Sequence, residues 1–304
     1  MQPEVLSACI GGGGALLGVA LGIAGTLRAA RTHGEAARDA AATQATATLR
    51  QQAREARRPV YAGALAAGRA YKTRAELLID GSATPDALDD VAAEVEAAVA
   101  LVELEGPRVL ESAAIHLLQC ATQLGRYVID HRDLLRAQHV IATANRTPDG
   151  LTPEQVRAAN TLEIAFGLLA VTAQKVDPQW RPFLATHHST AEPERQQALG
   201  RWAARPNMPP PPSSADQAAL LEALSHARDS IAEALRAELL TVDQARELLR
   251  YCVHEGRVIG PRDPQFEAAT WGLHRALIDF RTKARAVLHD GEDPLWGGAQ
   301  PPGA

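Results

Sequence analysis

The apolar positions of this chain recur at helical spacing over most of its length. Between residues 108 and 135 they alternate at intervals of four and three residues, and the same spacing returns between Phe266 and Val287. Such spacing places apolar side chains along one face of an α-helix, as in helical bundles. The pattern therefore predicts amphipathic helices that pack against one another.

Breaks in this pattern divide the body of the chain into eight predicted helices. Gly106-Pro107 separates two of them, and Thr152-Pro153 is a favourable helix start with a threonine cap. The predicted helices cover residues 60–79, 85–105, 108–144, 153 to about 175, 193–202, 216–239, 242–254 and 264–288.

Short connections between the first four helices favour an antiparallel bundle over residues 59–175. Residues 176–214 read as an irregular, proline-rich linker with one short helix, and residues 215–290 read as a C-terminal helical region. The proline run Pro209–Pro212 is either a spacer or a docking site for a proline-reading groove. Residues 291–304 are expected to be a disordered tail.

The helix that begins at Pro153 is apolar on nearly all sides around Phe166. We expect it to be the most buried helix of the set. Glu163 and Gly167 interrupt its apolar character and argue against a membrane span.

A different pattern occupies residues 5–27, which contain no charged residue. As a helix this segment is about 34 Å long, enough to cross a hydrocarbon core of about 30 Å. The alternatives are a buried core helix and a signal peptide. Seven glycines weaken a soluble helix, and the acidic start at Glu4 lacks the basic stretch of a signal peptide. The sequence predicts an uncleaved transmembrane helix preceded by a short external tail, residues 1–4.

Charge and glycine spacing add an orientation and a packing face to this segment. Arg28, Arg31 and Arg38 follow it and no basic residue precedes it, which places the N-terminus outside and the body in the cytoplasm. Three glycines, Gly14, Gly18 and Gly22, share one helix face, a spacing that lets two helices approach closely. The same spacing also arises by chance in a glycine-rich segment.

Composition supports an all-α fold and a charged stalk. Aromatic residues are only 4% of the chain, and the long alanine-, leucine-, glutamate- and arginine-rich runs suit helices. Residues 28–58 carry a net charge of +4, whereas residues 59–304 carry −8. A basic helical stalk beside an anionic lipid leaflet fits this division. The acidic body argues against nucleic acid as a partner.

The N-terminal part of the chain combines an uncharged anchor with a basic stalk that ends at Arg57-Arg58-Pro59-Val60-Tyr61-Ala62. This combination resembles actinobacterial membrane-anchored helical proteins of unassigned activity. The resemblance covers about the first 75 residues. It implies a membrane-anchored helical protein and brings no site residues with it.

Candidate chemistry is limited to a few side chains. His131 and His139 lie two turns apart in the predicted third helix, and Glu163 approaches them in a bundle. His131 is either a core or boundary histidine or part of a pocket. The core helices lack the Glu-x-x-His spacing of di-iron bundles, and no phosphate-binding loop or nucleophile elbow occurs. The sequence predicts no catalytic residue, metal or cofactor.

These features favour an interaction or scaffold protein at the inner face of the membrane, in contact with the lipid bilayer and with a protein partner or a second copy. One alternative is an enzyme or ligand-binding bundle with a pocket near His131. Another is an accessory subunit of a membrane complex that packs through Gly14, Gly18 and Gly22.

Overall fold

A computed structural model describes the backbone of residues 3–148, 150–260 and 263–290, and the side chains of residues 31–148, 150–260 and 263–289. These residues form α-helices and one π-helical turn without any strand, so the predicted all-α class is confirmed. The helices are α1 Pro3–Asp80, α2 Pro85–Glu105, α3 Arg108–Asp130, α4 Arg132–Arg146, α5 Pro153–Gln174, α6 Arg181–Thr186, α7 Glu192–Ala203, α8 Ser214–Arg236, α9 Val242–Arg250 and α10 Pro264–Asp290. The π turn, Tyr251–Glu255, directly continues α9.

The predicted transmembrane segment 5–27 lies outside the residues whose side chains are described. The same holds for Gly14, Gly18, Gly22 and Arg28, and for the tails 1–4 and 291–304. Arg31 and Arg38 are exposed on α1. Within the part of the chain searched, only α5 is long and apolar enough to cross a membrane, and half of its most apolar stretch is buried by protein.

Helix α1 is continuous through Pro59, so the prediction of a separate helix beginning at residue 60 is wrong. A proline inside a helix removes one backbone hydrogen bond, which water can replace here because Pro59 is exposed. Residues 31–59 contain no buried side chain. Beyond Pro59 a buried stripe follows helical spacing along α1, formed by Tyr61, Ala64, Ala67, Tyr71, Ala75 and Leu78.

A first group of helices packs around this stripe. Helix α2 lies against α3 through its valines, and α10 reaches α1 where Phe280 meets Tyr61 edge to face at 6.3 Å between ring centroids. Gly68 lets the helices come close, since a Cβ there would lie only 2.8 Å from Leu277 Cδ2. This group belongs with all later helices to one compact unit, residues 60–287.

The predicted third helix, 108–144, is broken at His131, which has φ −116° and ψ 19°. The break is a correction to the sequence prediction, and no proline or glycine marks it. The break directs the helices on its two sides into different cores. Leu124 and Val128 on α3 are buried in the first group, whereas Leu134 and Ile141 on α4 belong to a second hydrophobic core.

The second core is built mainly by α4, α5, α8, α9 and the π turn. Helix α5 packs most extensively against α8, and α4 contacts both α5 and α9. A capping box between Thr152 and Gln155 begins α5, as the sequence predicts, and Thr241 with Gln244 begins α9 in the same way.

Residues 176–214 are more ordered than an irregular linker. They contain α6 and α7, and α7 confirms the predicted short helix. Trp180, Phe183 and Leu184 are buried in the second core, because α6 packs on α8 and the π turn. The proline run is held as well, since Trp180 Nε1 donates a 3.2 Å hydrogen bond to the Pro209 carbonyl.

Candidate functional site

A buried carboxylate joins three parts of the body at the start of α10. Asp263 is fully buried, and its Oδ1 accepts a 2.6 Å hydrogen bond from the Tyr127 hydroxyl on α3. Its Oδ2 accepts a 2.8 Å bond from the Tyr251 hydroxyl in the π turn. The backbone N–H groups of Gln265 and Phe266 also donate to Oδ1, so this side chain caps α10.

These hydrogen bonds control the ionisation of the three side chains. Burial tends to raise the pKa of Asp263, but the four donated hydrogen bonds outweigh it and hold that pKa below its usual range. Burial, together with the bond to the carboxylate, raises the pKa of Tyr127 and Tyr251. At neutral pH the cluster is therefore a carboxylate held between two protonated phenols.

His131 flanks this cluster without entering it. Its ring stacks on Tyr127 at 4.3 Å between centroids, and its Nδ1 lies 3.1 Å from the Tyr127 carbonyl oxygen. The break between α3 and α4 thus positions the ring beside Tyr127. His131 serves here as a half-buried boundary residue.

A buried arginine holds the far end of the π turn. Arg181 donates through Nε to the Val176 carbonyl at 2.8 Å and through Nη1 to the His254 carbonyl at 3.2 Å. Gly256 follows the turn with φ 63°, and a Cβ there would lie 2.7 Å from Arg181 Nη1. Glycine adopts this left-handed backbone without strain and leaves the guanidinium room to approach. π turns often occur at functional sites, and this one positions Tyr251 against Asp263.

Beside Asp263 lies an open cleft of about 230 Å³ between the end of α1, α4 and the start of α10. Among the described residues that line it, three are carboxylates and none is lysine or arginine. The lining residues are Glu76, Ile79, Asp80, Leu135, Gln138, His139, Asp263 and Phe266. We call it the Gln138 cleft.

The Gln138 side chain is 2% exposed, and neither its amide nitrogen nor its amide oxygen has a hydrogen-bond partner among the described residues. The same residue lines a second cavity of about 180 Å³, which Asn145, Glu163 and Ile259 also line. Asn145 donates a hydrogen bond to Glu163 there. A buried amide with both groups unpaired is costly, which makes this position unusual.

The structure therefore brings two of the three predicted pocket residues to adjoining cavities. His139 lines the Gln138 cleft and Glu163 lines its neighbour, while His131 lines neither. The sequence analysis missed Gln138 and Asp263. A glutamine at an apolar position of α4 and an aspartate one residue before Pro264 were the available signals.

A second feature is an apolar stripe on the outer face of α5. Ile164, Leu168 and Val171 are 75%, 48% and 47% exposed and share one face of the helix. Gly167 lies among them with open space around it. The expectation that α5 is the most buried helix is thus met on one face only, because α8 and its neighbours cover that face alone.

The chemistry available in these residues is hydrogen bonding and charge. No group of three or more histidine, cysteine, aspartate or glutamate side chains among the described residues is placed to hold a metal ion. Burial raises the pKa of the Cys252 thiol, which keeps it protonated, and also raises the pKa of half-exposed Cys120.

Comparison of the chain with protein-family models, curated proteins and solved structures gives no match. The resemblance to actinobacterial membrane-anchored proteins therefore stays a prediction.

Proposed function

We propose that this chain is a membrane-anchored interaction protein whose helical body lies in the cytoplasm. In this proposal residues 5–27 cross the bilayer, and Arg28, Arg31 and Arg38 lie on the cytoplasmic side. The support for the anchor is the uncharged segment and the charge that follows it. The support for the interaction role is the exposed apolar stripe of α5.

The stripe fits one occupant, an amphipathic helix of a protein partner. Three aliphatic side chains at i, i+4 and i+7 form a surface one helix wide, and Gly167 at its edge leaves room for a second helix to approach. The exposed Glu163 and Lys175 beside it give the rim both signs of charge. Exposed aliphatic area of this kind commonly marks a binding surface.

The docking proposal is tested by placing charged side chains in the apolar stripe of α5. Ile164→Glu with Leu168→Glu should abolish site-specific cross-linking of a partner from isolated membranes, because each glutamate must be desolvated on docking. Leu104→Glu is the matched control, since Leu104 is 82% exposed on α2. Equal loss, or no loss, in the two variants would contradict docking at α5.

The anchor is tested separately by topology reporters fused after Arg58 and after Ala304. We expect cytoplasmic signal at both positions, with the protein in the membrane fraction, and release into the soluble fraction when residues 5–27 are deleted. An exported signal at either position rules out the proposed orientation.

Packing through the glycine face of the anchor is a further part of the proposal, either between two copies or against another membrane protein. Gly18→Leu should weaken self-association in a membrane reporter, because the larger side chain separates the helix backbones. Gly12→Leu changes a glycine off that face and should have no effect. Unchanged association in both variants removes self-association from the proposal.

A ligand-binding bundle is the second candidate function. The Gln138 cleft favours it, with His139 rather than His131 as the histidine at the pocket. An enzymatic function has weaker support. Cys120 Sγ lies 3.8 Å from His116 Nε2, but burial raises the pKa of this thiol, which disfavours a reactive thiolate.

A further inference from the structure

The Gln138 cleft combines two independent features that point to a bound molecule. One is the lining, in which Glu76, Asp80 and Asp263 are the charged groups. The other is the Gln138 amide, buried and without a hydrogen-bond partner among the described residues. Native proteins rarely leave both groups of a buried amide unpaired, and such groups call for a partner.

The carboxylates determine the sign of charge that the cleft favours. The pKa of Asp80 is lowered, chiefly by the hydrogen bond from the Ser82 backbone N–H, and that of Asp263 is lowered by its four donors. Both are ionised at neutral pH. Among the described basic side chains nearby, Arg136 donates a 2.9 Å hydrogen bond to the Leu78 carbonyl and also helps to lower the pKa of Asp80. Lys72 lies 3.8 Å from the outer carboxylate, Glu76, and balances part of its charge.

The apolar lining residues indicate that the ligand has an apolar group as well as a charged one. Ile79, Leu135 and Phe266 are all buried, at 9%, 3% and 7% exposure. They form an apolar wall beside the charged groups. The volume of about 230 Å³ is below the roughly 300–1,000 Å³ typical of sites for drug-sized ligands, so the occupant is small.

A metal ion does not fit this description. The described carboxylates and His139 do not converge as a set of three ligands, and a bare cation makes no use of the apolar wall. An organic cation uses both surfaces, with its charged group at the carboxylates and its apolar group at Phe266.

We infer that the Gln138 cleft binds a small organic ammonium compound with one apolar end. The ammonium group donates hydrogen bonds to Asp80 and to the Gln138 amide oxygen, and the apolar end packs against Leu135 and Phe266. Gln138 lines the cleft, which places its unpaired amide beside the proposed ligand. This inference is independent of the membrane anchor and of docking at α5.

The test uses three probes of equal size and different charge. The full chain in zwitterionic phosphatidylcholine nanodiscs is titrated with phenethylammonium, 2-phenylethanol or phenylacetate, and binding is followed by saturation-transfer NMR against empty nanodiscs. We expect saturable binding of phenethylammonium and at least about tenfold weaker binding of the other two, because they lose a charge-assisted hydrogen bond.

Two variants with matched controls locate the site. Gln138→Leu should weaken binding about tenfold by removing one hydrogen-bond partner, and it should raise the unfolding midpoint because no unpaired amide remains buried. Asp80→Asn should weaken binding about threefold to fivefold, since this carboxylate is exposed and screened. Gln119→Leu on α3 and Asp90→Asn on α2 alter exposed residues outside the cleft and should leave the affinity unchanged.

Each outcome decides the inference. Charge-selective binding that is weakened in both cleft variants and unchanged in both controls supports it. Equal affinity for the three probes, no detectable binding of phenethylammonium, or unchanged binding in Gln138→Leu and Asp80→Asn overturns it.

Discussion

At the scale of single residues, Asp263 is the most consequential side chain of the body. Its carboxylate is fully buried, yet it is stabilised by two phenols and two backbone N–H groups rather than by a bonded lysine or arginine among the described residues. Hydrogen bonds to an ionised acceptor are stronger than those between neutral groups. The cluster therefore contributes to stability and also fixes how α3, the π turn and α10 meet.

Removing either phenolic donor should destabilise the fold. Tyr127→Phe and Tyr251→Phe are each expected to lower the free energy of unfolding by about 1.5–3 kcal/mol, since each deletes one hydrogen bond to a charged group. Denaturant unfolding monitored by circular dichroism measures the change. Tyr71→Phe is the control, because the Tyr71 hydroxyl packs at Gly125 away from the cluster. An equally large decrease in the free energy of unfolding in Tyr71→Phe would contradict a specific role of the two hydrogen bonds to Asp263.

Stability should also depend on acid through Asp263. Its pKa is lower in the folded chain than the unfolded value of about 3.9, so its contribution is present above that pH. The contribution is lost as the pH falls from about 4 through the folded pKa. The difference in unfolding free energy between the wild type and Asp263→Asn should thus be constant from pH 7 to 5 and shrink below pH 4. A difference that stays constant down to pH 3 contradicts this role.

At the scale of elements, periodicity predicted most helices but not how they connect. Helix α2 has the predicted bounds, 85–105, because Gly106-Pro107 ends it and five regularly spaced apolar residues face the core. The break at His131 was missed because the apolar spacing continues across it. It results from the two cores that α3 and α4 enter, which is a tertiary effect that local sequence does not encode.

Pro59 in α1 is the opposite of the break at His131, because a residue that usually ends a helix lies here inside a continuous one. Pro59→Ala should restore the hydrogen bond from residue 59 to the Glu55 carbonyl and slow amide exchange between residues 55 and 63. Hydrogen–deuterium exchange with mass spectrometry measures this local change. Ala62→Gly, at an exposed position three residues later, should have the opposite effect. Unchanged exchange in Pro59→Ala would show that the proline does not weaken the helix.

At the scale of the whole molecule, the body consists of two cores within one compact unit, residues 60–287. The Asp263 cluster and the α3–α4 junction connect them. We expect a single cooperative unfolding transition that shifts as a whole with Leu117→Ala in the first core or Leu224→Ala in the second, by about 2–5 kcal/mol each. Two transitions, each sensitive to only one variant, would show that the cores unfold independently.

The candidate site was only partly accessible from the sequence. His139 and Glu163 could be selected because polar residues in a bundle are few, and both line cavities. The apolar position of Gln138 on α4 was not enough to select it, because its burial depends on where α4 turns after His131. The place of Asp263 before Pro264 was not enough either, since its partners Tyr127 and Tyr251 come from distant segments of the chain.

The burial of Cys252 gives the protein an internal reporter of its own openings. Its thiol is inaccessible within the π turn, whereas Cys120 is half-exposed on α3. In a Cys9→Ser background a thiol-modifying reagent should react with Cys120 in the native state, but with Cys252 only when the second core opens. The rate of modification at Cys252 then reports the rate of that opening, and mass spectrometry measures it from the mass that the reagent adds.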